Sequence, residues 1–102
     1  MYTKEMVDKA VEHFIANPAY GEEYNTAPSD SCKERIAFSY CNSIYNWESF
    51  FSSIEEFKAE RDKIESKLDI KDWKHLLKYS GNNPWHSKCL KKIKELEAAQ
   101  NA

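Results

Sequence analysis

The sequence predicts an all-α protein, a compact bundle of four or five helices ending in a helix-turn-helix-like hairpin over about residues 70–97. Three observations carry this. Apolar residues recur at helical spacing along most of the chain. Only two glycines and three prolines interrupt 102 residues, too few for a loop-rich or strand-rich architecture. Ser, Thr, Asp or Asn opens the periodic stretches, where a helix needs a side chain to accept from its orphan N–H groups. The length suits a single domain over 1–102 with one modest core.

Thr3 caps the first helix, and Glu5 in its opening turn suits the positive end of the helix dipole. Met6, Ala10 and Phe14 form one row, Val7, Val11 and Ile15 the next, and Asn17-Pro18 ends the stripe. Residues 17–30 read as a long loop from their Pro, Gly and Asn content. Within it, Tyr20, Glu22, Glu23 and Tyr24 are candidates for an acidic, aromatic contact surface. The competing reading folds both tyrosine rings back over the core.

Ser31 begins a capping box with Glu34, and Ser29 behind Pro28 is the alternative cap. Ile36, Tyr40 and Ile44 then make one apolar row, with Ala37, Cys41 and Tyr45 beside it. A continuous helix over 32–68 would run roughly 55 Å, against a domain diameter of roughly 35 Å, and would call for a homodimer. A break within 46–53 is the better reading, with Asn46 and Ser53 as caps. The charged face over 54–68 reads as solvated, laced with i,i+4 pairs.

Asp69 caps the next helix, whose apolar face is Ile70, Trp73, Leu76 and Leu77. Gly81 stops it in a left-handed conformation. Asn83-Pro84 starts the last helix, with Trp85, Cys89, Ile93 and Leu96 as its stripe. A frayed tail is expected over 97–102.

The net charge of −2 hides an asymmetry: residues 71–94 hold seven lysines against Asp72 alone, and the preceding seventy residues are acidic. Such a split points to a polyelectrolyte partner, or to a basic hairpin docked on the domain's own acidic surface. No apolar run approaches the roughly 18 residues of a membrane span, and the first residues are too charged for a signal peptide. Three cysteines, two of them nine residues apart on one expected helix, point to free thiols and a cytoplasmic protein.

No catalytic set, metal site or cofactor motif is nominated. His86 and Cys89 share a helix face but lack two further ligands at matching spacing. The pairs Glu22/Glu23 and Glu55/Glu56 diverge on a helix, and no glycine-rich phosphate loop is present. The expected function is therefore non-enzymatic: a small module that modulates or inhibits a larger protein or nucleoprotein machine, of the sort encoded by phages or mobile elements. Its expected contact residues are Tyr20, Glu22, Glu23, Tyr24 and Trp47, because three Trp, six Tyr and five Phe are many for so small a core. The alternative is nucleic-acid binding by the hairpin through Lys71, Lys74, Lys78, Lys88, Lys91, Lys92 and Lys94, although no arginine reads bases there.

Overall fold

A computed structural model describes residues 3–81 and 84–100. Over these the chain forms α1 (Lys4–Ile15), α2 (Pro18–Asn25), α3 (Asp30–Tyr45), a 3-10 turn (Trp47–Ser49), α4 (Ile54–Glu65), α5 (Ile70–Lys78) and α6 (Pro84–Gln100), with no strand among the described residues. The all-α class is as the sequence predicts. Six helices stand among the described residues where four or five were expected, and the extra one is α2.

α2 corrects the expected loop over 17–30. Asn17 and Pro18 end α1 and also start a new helix: the Asn17 side chain accepts from the Ala19 N–H at 3.0 Å, and Pro18 occupies the first turn. Gly21 lets α2 press on the end of α1, since a Cβ there would stand 3.0 Å from the Ile15 carbonyl oxygen. Only residues 26–29 remain as a connection.

Side-chain caps account for most of the other boundaries. Thr3 accepts from the Met6 N–H, and Ser29, not Ser31, caps α3 by accepting from the Cys32 N–H at 3.1 Å. The break falls within 46–53. Asn46, at a φ of 68° that asparagine tolerates better than most residues, closes α3 and accepts from the Trp47 N–H. Ser53 then caps α4, while the Glu56 carboxylate reaches back to the Ser52 N–H and hydroxyl. With that break the molecule measures 41 × 33 × 24 Å, so the 55 Å rod and its reason for a homodimer both disappear. Asp69 and Asp72 form a reciprocal capping box on α5.

The tail correction is similar. α6 continues to Gln100, because Glu95, Glu97, Ala98 and Ala99 are good helix formers with no glycine or proline among them. Gly81 is left-handed, with a φ of 68°, but α5 has already ended at Lys78 with Tyr79 as its C-cap, so the glycine does not itself stop the helix. Asn83, expected to cap α6, lies outside the described residues. Across the turn, the Ser80 hydroxyl gives its proton to the Leu77 carbonyl, so His86 Nδ1, 3.0 Å away, must be the donor to Ser80.

α3 is the centre. It touches α1, α2, α4, α5 and the 3-10 turn, and buries Cys32, Arg35, Ile36, Ala37, Phe38, Tyr40 and Cys41. Those positions wrap more than half the helix, so α3 is surrounded rather than laid on a surface. Ile44, expected in the apolar row, is 38% exposed because the row runs out beyond the last packed turn. α5 and α6 pack on each other and bury Trp73, Leu76, Cys89 and Ile93 in the common core.

Candidate functional site

Three elements hold the α2 corner in place. Phe14 of α1 stacks on Tyr40 of α3 at 4.4 Å between centroids, and Tyr20 meets both rings edge-on at 5.2 and 6.1 Å. The Tyr40 hydroxyl donates to the Tyr20 carbonyl at 3.3 Å. His75 of α5 lies 2.7 Å from the Glu23 carbonyl, and since a carbonyl only accepts, its Nε2 carries the proton.

The expected contact residues fare unequally. Tyr20 is 44% exposed and Glu22 is exposed. Tyr24 folds back toward Tyr40, with the Lys33 ammonium 5.5 Å over its ring, as the competing reading had it. Trp47 does not join this corner. It packs 6.4 Å from Phe57, in a separate aromatic group with Phe38 and Phe51. Among the described residues only Tyr20, Ile44 and Leu90 are large apolar side chains left exposed, so most of the aromatic surplus lies in or against the core.

A cleft of about 240 Å³ opens beside Tyr20, lined by Phe14, Tyr20, Tyr40, Tyr79 and Trp85 together with Ile36 and Leu76, by Ser39, Ser43 and Ser80, and by Glu23 as its acid. No hydrogen bond or ion pair from a described residue reaches the Glu23 carboxylate. Burial alone pushes it from 4.5 up to about 7. Its charge in turn helps hold the Tyr40 phenol above the usual tyrosine range, behind burial as the main cause.

The seven lysines divide as well. Lys71, Lys74 and Lys78 fall within 60° of one another on α5, opposite its buried face, and are exposed. Lys91 and Lys94 are exposed on α6 and Lys92 is half-buried. None of these six forms an ion pair with a described residue. Lys88 does. Its ammonium lies 2.8 Å from Glu65, whose other oxygen takes the Arg35 Nε–H at 2.9 Å. The Arg35 guanidinium stacks 4.5 Å over Trp85, and Lys88 stands 5.5 Å over the same ring. Desolvation lowers the Arg35 pKa and Glu65 opposes that fall.

This corrects the reading of 54–68 as a uniformly solvated charged face, for Glu65 is only 7% exposed. The hairpin does dock on an acid of its own domain, at that one point. A weak signal was present: Arg35 stands directly before Ile36 and three after Cys32, inside the apolar rows, where a guanidinium requires a buried partner.

The thiols do not form a reactive set. Burial pushes Cys32 up to about 12, with Asp72, Glu23 and Asp69 adding to it, and pushes Cys41 and Cys89 up to about 11. All three are free and buried, and no group of three or more metal-ligating side chains occurs among the described residues. Nor is any helix of the described residues long and apolar enough to cross a membrane. The chain matches no family model, no curated protein and no solved structure.

Proposed function

We propose that this chain is a non-enzymatic binding module that modulates or inhibits a larger protein or nucleoprotein machine, like small products of phages and mobile elements. The observation that carries the reading is the α2 corner: exposed Tyr20 on an aromatic cleft whose one carboxylate has no partner among the described residues, with Glu22 exposed on the same helix. A stable fold gains nothing from leaving such a group unpaired, whereas a binding surface gains specificity from it. The partner is a protein, and the contact centres on Tyr20, Glu22 and Glu23 with Tyr24 as support. Trp47 belongs to a second, separate patch. The test is affinity capture with the immobilised chain, comparing wild type with Tyr20→Ala and Tyr24→Ala, and using Trp47→Ala as the off-site control. A partner held by wild type and by Trp47→Ala but lost by Tyr20→Ala is the expected result. Identical captures by all four chains defeat the reading.

Nucleic-acid binding is the second reading, favoured by the six lysines of α5 and α6 that no described acid neutralises. Lys88 drops out of that set. Retention on duplex and single-stranded DNA at two salt concentrations tests it. The reading requires binding that weakens steeply with salt and is lost in Lys71/Lys74/Lys78→Glu with the fold intact. Indifference to DNA at low salt removes it.

A further inference from the structure

We infer that the cleft between α2, α3 and the α5–α6 corner seats a lysine side chain of the protein partner, its ammonium against the Glu23 carboxylate and its methylenes against Tyr20, Phe14 and Tyr79. The inference rests on the protein-binding reading above and names the group that the site recognises.

Three features of the cleft point to that occupant. Its volume of about 240 Å³ lies below the 300–1,000 Å³ or so typical of sites for whole small molecules, and suits one extended side chain. Its walls are aromatic, and ring faces attract ammonium groups as well as alkyl stems. Its one acid is half-buried and unpaired with any described residue, so the missing charge is positive. None of the chain's nearby cations lines the cleft: Lys33 lies over Tyr24, Lys78 over Tyr79 at 5.4 Å, and Arg35, over Trp85, is paired with Glu65. None of the three bridges to Glu23. An incoming lysine finds ring surface and carboxylate together.

Recognition of this kind is pH-dependent. Glu23 is half-ionised near pH 7, so affinity for the ammonium falls as the pH drops below it. The other ionisable groups around it are Tyr20 and Tyr24 on α2, Tyr40 and Cys32 on α3, and His75 and Tyr79 at α5, with Lys78 over Tyr79 and, on α6, His86 behind Ser80. Of these, His75 faces the Glu23 carbonyl, not its carboxylate.

The test titrates N-acetyl-lysine N-methylamide into the ¹⁵N-labelled chain, with the norleucine analogue as the uncharged isostere and tetramethylammonium as a free small cation. The expected result is saturable shifts at Tyr20, Glu23 and Tyr79 with the lysine derivative, about tenfold weaker at pH 6 than at pH 8. Norleucine should leave those signals in place, and Glu23→Gln, with an otherwise unchanged spectrum, should abolish the lysine response. Norleucine binding as well as lysine, a lysine response that survives Glu23→Gln, or no response at pH 8 each overturns the inference. Tetramethylammonium binding tenfold tighter than the lysine derivative also overturns it, since the site would then suit a free cation. If affinity capture finds a partner that Tyr20→Ala loses and Glu23→Gln keeps, the binding module stands and only the lysine assignment falls.

Discussion

Glu65 and Glu23 are both glutamates drawn out of water, and the molecule treats them oppositely. Glu65 at the end of α4 is enclosed by Arg35 and Lys88, so one carboxylate ties α3, α4 and α6 together. Glu23 on α2 has aromatic walls and no cation among the described residues, and burial holds it at about 7. A third acid, Asp72, lies between these cases. It is 2% exposed yet held by neutral donors, the Ser29 hydroxyl at 2.8 Å and the Asp69 N–H at 3.0 Å, which joins the caps of α3 and α5. The lesson is that burial alone does not say what an acid is for. A carboxylate whose oxygens are filled from within the chain holds helices in place, and one left empty is open to a ligand.

Each arm of this comparison can be broken separately. The largest effect is expected for Glu65→Ala, which leaves Arg35 and Lys88 facing each other without their counter-charge. A loss of about 3–5 kcal/mol in urea denaturation is expected, and a loss below 1 kcal/mol would remove Glu65 from its role as a tie. Asp72→Ala comes next, at about 2–3 kcal/mol, since it strips the α5 capping box and strands the Ser29 hydroxyl. Ser29→Ala should be nearly additive with changes at Glu65 but not with Asp72→Ala, which a double-mutant cycle reads directly.

Glu23→Gln should act in the opposite direction. In the unfolded chain Glu23 loses its proton near 4.5, and in the folded chain near 7. The folded state therefore binds more protons between those values, so stability falls as pH rises through the window. Removing the charge should stabilise the protein above pH 7 by about 1–2 kcal/mol, less than the whole shift implies because water still reaches part of the group. Below pH 4.5 the variant and wild type should coincide. Denaturation midpoints from pH 4 to 8 measure this. Parallel curves for the two chains would mean that Glu23 is not the group that titrates there.

Much of the fold was legible because its signals are short-range. Caps such as Thr3, Ser53 and Asp69 bond to backbone three residues away, and apolar rows such as Met6, Ala10 and Phe14 are spaced by the helix itself. The same local logic misread α2, because Asn17-Pro18 punctuates a helix equally well as a stop and as a start. It also let the tail fray too early, although nothing after Leu96 breaks a helix. The candidate cleft was legible only in part: Tyr20 and Glu23 were named, but Phe14, Tyr40 and Trp85 were assigned to apolar helix stripes, and nothing along the chain brought Tyr79 to them.

By itself, then, the sequence determined five of the six helices, the break between α3 and α4, and that the α5–α6 region carries most of the uncompensated positive charge. Only the tertiary structure decided which polar groups are enclosed and by what. The bonds that decide it join Arg35 to Glu65, Ser29 to Asp72 and His75 to Glu23, across thirty to fifty-two residues of chain. Desolvation depends on every element that closes over a group, and no spacing along one helix records that.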